Sequence, residues 1–129
     1  MKKLLIIFTL VFLLASCKQK EEEIIYEYDD FYELTRWSDI SMLEQGQWFI
    51  YVYSEFCYAC EVIKQDILSF GDSIRTEAPF YVANHAIVEG LAPIDYRGTP
   101  TLFMMDNNEV ITYFEGTSDI LSFIATFQP

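Results

Sequence analysis

The stretch 54-SEFCYACEVIKQDILSFG-71 sets Cys57 and Cys60 at the mouth of an apolar-periodic segment. Cys60, Ile63, Ile67 and Phe70 recur at spacings of 3, 4 and 3, which is one face of an α-helix. Glu61, Lys64, Gln65, Asp66 and Ser69 fall mainly outside that face, and Gly71 is the expected stop. Three chemistries are open to a cysteine pair at a helix start: a redox couple, half of a metal site, or a structural bridge. A bridge between Cys57 and Cys60 closes a very short loop and is a poor staple, because cross-link stabilisation grows with loop length.

The flanks of this segment predict the architecture. "WFIYVY" (48–53) is aromatic, β-branched and uncharged, as expected of a central strand covered on both faces. "PFYVA" (79–83) reads as a second buried strand. "TLFMM" and "VITYF" flank Asp106-Asn107-Asn108-Glu109, a hairpin with turn residues at its tip. Thr117 or Ser118 is the expected cap of a last helix with Ile120, Leu121, Ile124 and Phe127 on its apolar face. Further upstream, Ile24 to Tyr28 suggests a short strand, and Phe31, Leu34, Ile40 and Leu43 suggest one or two helical pieces ended near Gly46. The order strand, helix, strand, connection, hairpin, helix predicts an α/β fold, a central sheet flanked by helices.

The chain opens with "MKKLLIIFTLVFLLASC". Lys2 and Lys3 form a charged start, and Leu4 to Leu14 form an apolar run broken only by Thr9. Spanning a bilayer takes about 20 apolar residues, so the run has the length of a secretory signal instead. Leu14-Ala15-Ser16-Cys17 resembles the lipobox of bacterial lipoproteins, whose cysteine is acylated and becomes the first residue of the mature protein. The resemblance implies a signal peptide over 1–16, a lipidated Cys17 with a charged tether over 17–23, and a folded domain over 24–129. It also implies an extracytoplasmic location, anchored by lipid to a bacterial membrane. Of the three cysteines in the sequence, only Cys57 and Cys60 then remain for chemistry.

Without residues 1–16, which hold Lys2 and Lys3, six basic residues face 20 acidic ones, a net charge of −14. Such a surface disfavours nucleic acid as a partner. The 22 aromatic residues supply bulk for one modest core. Zinc takes four ligands, and the mature chain offers Cys57, Cys60 and the single histidine, His85, so no metal site is expected.

A strand running straight into Cys57-Tyr58-Ala59-Cys60 resembles the thioredoxin superfamily, and a second motif, "YRGTPTLFMMDNNEVITYFEG" (96–116), is similar to that family's segment facing the cysteines. Pro100 matches its cis-proline, Thr99 the residue before it, and Gly116 the glycine after the last strand. The resemblance covers roughly residues 45 to 129 and implies a thioredoxin-like α/β fold with a central mixed β-sheet. It implies a thiol–disulfide oxidoreductase in which Cys57 attacks and Cys60 resolves, with Thr99 and Pro100 beside a bound polypeptide. No cofactor is implied. Partners are the thiols or disulfides of exported proteins, and a reductant outside the cytoplasm also requires a membrane electron-transfer partner.

The chain departs from the family at several positions. Phe56 stands where a tryptophan is usual, and Tyr58-Ala59 contains neither Gly-Pro nor histidine. Tyr51, six residues before Cys57, occupies the place of a buried acid, with Glu55 the candidate substitute. Phe56, Tyr58 and Glu55 are therefore counted with the site. The competing reading is a thioredoxin-like module that binds a peptide or partner without essential redox activity. It requires neither cysteine.

Overall fold

The computed structural model describes residues 21–36, 46–88 and 98–127. In chain order these form a 3-10 turn (Tyr28–Asp30), β1 (Tyr32–Glu33), β2 (Gln47–Tyr53), α1 (Tyr58–Ile74), β3 (Phe80–Asn84), α2 (His85–Val88), β4 (Thr101–Asp106), β5 (Glu109–Glu115) and α3 (Gly116–Thr126). The sheet order is β1-β3-β2-β4-β5. β3 runs parallel to β1 and β2, whereas β4 is antiparallel to both β2 and β5. The result is a mixed five-stranded sheet with β2 at its centre, as the sequence leads one to expect.

β2 is central because both of its faces are apolar. Its pleat sends Phe49, Tyr51 and Tyr53 to one side and Trp48, Ile50 and Val52 to the other, and all six are buried. On the first side they meet Cys60, Ile63, Ile67, Leu68 and Phe70 of α1, together with Ile120 of α3. On the second they meet Leu34, Tyr81, Ala83, Phe103 and Met105. The hairpin closes through Asn107 (φ 48°) and Asn108 (φ 69°). Two consecutive left-handed residues give the turn a twist that matches the strands, and asparagine tolerates that region.

Four expectations are corrected. Residues 24–28 form no strand: Ile24 and Ile25 are exposed, and the backbone of Tyr26 pairs with a side chain of α1 in place of a sheet edge. Phe31 and Leu34 belong to no helix; they flank β1, which supplies the edge strand. Gly71 does not stop α1, which continues to Ile74. It is buried beneath β3, and a Cβ there would come within 2.5 Å of the Phe80 ring. Finally, neither Thr117 nor Ser118 caps α3: the helix begins at Gly116, whose φ of +82° turns the chain directly out of β5.

The signal peptide expected over residues 1–16, Cys17 and the helical piece expected around Ile40 and Leu43 lie outside the described residues. Among the described residues no helix is long and apolar enough to cross a membrane.

Candidate active site

The chain leaves β2 at Tyr53, turns through Ser54–Phe56 and enters α1 with Cys57 as its N-cap. Cys57 Sγ accepts a hydrogen bond from the Cys60 N–H at 3.0 Å. A free N–H at a helix start favours negative charge on its acceptor, so this position stabilises a thiolate once the pair is reduced. Cys57 and Cys60 are joined as a disulfide with Cα atoms 5.2 Å apart. Cys57 is partly exposed, whereas Cys60 is 1% exposed and belongs to the core under α1. The helical spacing that puts Cys60 in line with Ile63 and Ile67 is what buries one sulfur and leaves the other at the surface.

Of the remaining sequence-predicted residues, Phe56, Tyr58 and Glu55 lie about this pair. Phe56 and Tyr58 flank Cys57 and are 97% and 84% exposed. Glu55 is exposed and lines a cleft that opens on the disulfide. The Thr99–Pro100 peptide is cis. Thr101 pairs with Val52, so this dipeptide sits at the end of β2 from which the chain runs to Cys57. Pro100 is buried; its C=O accepts from the Gly116 N–H at 2.9 Å, and Thr101 Oγ1 donates to the Gly98 C=O at 2.7 Å. These two bonds fix the entry to β4 from both sides. Among the described residues no group of three or more His, Cys, Asp or Glu side chains is gathered as metal ligands would be.

Tyr51 carries no charge where an acid would be expected. The side chain is fully buried, its hydroxyl has no hydrogen-bond partner among the described residues, and burial pushes its phenol far above the ordinary range. Its ring lies near-parallel to that of Tyr28 with centroids 6.4 Å apart, and the two hydroxyls do not reach hydrogen-bonding geometry.

Sequence reasoning missed one part of the site. Residues 26–31 form a strap laid over α1. The Gln65 side-chain amide accepts from the Tyr26 N–H at 2.9 Å and donates to its C=O at 2.8 Å. Tyr26 Oη donates to Asp72 at 2.9 Å, and Glu27 is ion-paired with Lys64. Tyr28 stacks on Tyr53 with ring centroids 3.8 Å apart, and the Lys64 ammonium lies 5.0 Å above its ring. The strap thereby becomes one wall of the cleft beside Cys57 and Cys60, a space of about 360 Å³. Burial, reinforced by the charges of Glu61 and Glu27, pushes the Tyr28 phenol up to about 12. Its only sequence signal is the alternation of aromatics and acids in "YEYDDFY", which names no partner.

A central β2 between parallel β3 and antiparallel β4, followed by an antiparallel β5, is an architecture shared with solved structures. The mitochondrial thioredoxin 3 of Saccharomyces cerevisiae, in its oxidized form, superposes with a TM-score of 0.66 at 14% identity, over 78% of this chain and 98% of that one. The thioredoxin f2 of Chlamydomonas reinhardtii gives 0.61 at 18% identity, over 77% and 97%. The Fasciola hepatica thioredoxin gives 0.64 at 15%, over 76% and 100%. The chain has the thioredoxin fold. No protein-family model matches the sequence, and no curated protein matches it. Identities this low establish the architecture, and the strap and Tyr51 are features of this chain to be read on their own residues.

Proposed function

We propose that the protein is a thiol–disulfide oxidoreductase, tethered by lipid on Cys17 outside the cytoplasm, that exchanges disulfides with exported proteins. The observation that carries the redox reading is the Cys57–Cys60 disulfide at the N-terminus of α1, one sulfur at the surface and the other in the core. In the reducing direction the Cys57 thiolate attacks a client disulfide, forming a mixed disulfide and expelling one client thiolate. The Cys60 thiolate then attacks Cys57 Sγ and releases the second. Two electrons pass from the protein to the client, and Cys57–Cys60 is left oxidised; oxidation of a client dithiol runs the same steps backwards. The helix N-terminus supports the thiolate on Cys57, while Glu61 in the first turn opposes it. Thr99 and Pro100, just before the β4 residue that pairs with the end of β2, would line the bound client chain. Extracytoplasmic tethering rests on the lipobox-like Leu14-Ala15-Ser16-Cys17.

The test is a reduction potential for the full chain, equilibrated against glutathione or a reference thioredoxin. A value near −270 mV marks a reductant that needs a membrane electron donor, and one near about −120 mV an oxidant of exported clients. The Cys57→Ser variant should show no reversible couple. Absence of a couple in the unaltered chain would refute the redox reading and leave a partner-binding module.

A further inference from the structure

The cleft that opens on the disulfide is strongly unbalanced in charge. Its lining includes four carboxylates, Glu27 and Asp29 from the strap with Glu55 and Glu61 from around the cysteine turn. Among the described residues the one cation of the lining, Lys64, is largely covered, ion-paired with Glu27 and drawn over the Tyr28 ring. All four carboxylates lie on exposed residues. The face offered to an approaching client beside the reactive sulfurs is therefore anionic. Phe56 and Tyr58, the exposed neighbours of Cys57, add aromatic faces that attract a cation but not a carboxylate. The field also reaches the wall itself: after burial, the charges of Glu61 and Glu27 are what hold the Tyr28 proton most firmly.

We infer that the clients of this site are cationic polypeptide segments, with lysine or arginine flanking the exchanging cysteines, and that Glu27 and Asp29 of the strap are specificity-determining residues. The inference rests on the redox reading above and adds the class of client to it. The chemistry at sulfur is unchanged: the client's disulfide takes up the two electrons that Cys57 and Cys60 give. What the cleft adds is selection at encounter. Carboxylates lining a concave surface concentrate cations and speed their association, and they repel an acidic chain of the same shape. Two of the four carboxylates come from residues that lie before β1, so the segment leading from the tether is also part of the recognition surface.

Two synthetic peptides, each closed by one disulfide and identical except that lysines flank the cysteines in one and glutamates in the other, would be mixed with the reduced full chain. A neutral probe, 2-hydroxyethyl disulfide, runs alongside. At about 0.01 M salt the lysine peptide should react at least about tenfold faster than the glutamate peptide. The ratio should fall towards one as salt rises to about 1 M, where the screening length shrinks from about 30 Å to about 3 Å. The Glu27→Gln/Asp29→Asn variant should show a smaller ratio at low salt; taking a ratio within one protein cancels any change in the intrinsic reactivity of its thiols. Equal rates for the two peptides, or a ratio indifferent to salt, would overturn the inference while leaving the oxidoreductase in place. If neither peptide nor the neutral disulfide reacted, the redox reading itself would fall, and the client class with it.

Discussion

At the scale of single residues, Tyr51 sets this chain apart from what its cysteine motif implies. A carboxylate in that position could take a proton from Cys60 near neutral pH; a deeply buried phenol keeps its own. Glu55 does not restore the missing acid as a buried group, because it lies exposed on the cleft. Tyr51 is held in the core by ring packing, and its hydroxyl adds an unpaired polar atom. Leaving such a group buried without a partner costs about 1–3 kcal/mol, so Tyr51→Phe, which keeps the ring and deletes the oxygen, should stabilise the protein by about 1 kcal/mol. Urea denaturation would show this as a higher midpoint at unchanged slope. A lower midpoint would mean that the hydroxyl has a hydrogen bond after all. The cysteines needed no such correction. Their spacing placed them at a helix start, and the structure joins them there.

Between elements, α1 is positioned by a close approach to β3 at Gly71. The sequence invites reading that glycine as a helix stop, because glycine after an apolar stripe commonly ends a helix. Tertiary contact decides otherwise: the Phe80 ring occupies the space a side chain would need. Gly71→Ala gains up to about 1 kcal/mol of helix propensity and forces a core displacement worth typically 1–3 kcal/mol. The expected outcome is a net loss of about 1 kcal/mol, read from the urea midpoint, with Gly71→Ala/Phe80→Leu recovering part of it. Stabilisation by the single substitution would show that Phe80 yields freely. β2, α1, β3 and the hairpin were legible because each carries its own signal, a strand-like run, a helical period or a turn pair. The strap was not. It is fixed by polar contacts between residues 39 and 46 positions apart, Tyr26 with Gln65 and with Asp72, and no local pattern encodes a partner at that distance. The same holds for the wall it gives the cleft, so the sulfurs of the candidate site could be read from the sequence and the surface selecting their clients could not.

For the molecule as a whole, the strap limits how far the site can travel. Tyr26 is fastened to α1 through Gln65 and Asp72. Nine positions separate it from Cys17, a fully extended reach of about 30 Å. Under the proposed lipidation, the cleft is thus confined to within a few nanometres of the bilayer. A net charge of −14 on the chain without residues 1–16 would keep it off anionic headgroups, so the proposed attachment would depend on the lipid and not on the protein surface. Cys17→Ser removes the acylation site and no described contact. The variant should keep the Cys57–Cys60 couple and its potential, yet lose both the acyl mass and the cleavage before residue 17, and so retain residues 1–16. Mass spectrometry reads this against the unaltered chain, which should begin at an acylated Cys17; an unacylated Cys17 in the unaltered chain would refute lipid anchoring there. The confinement also narrows the choice of client. A site held this close to a bilayer meets chains emerging from it and domains fixed to it at far higher effective concentration than freely diffusing ones. A cationic juxtamembrane segment, drawn to the headgroups on one side and to the cleft on the other, would satisfy both the tether and the charge.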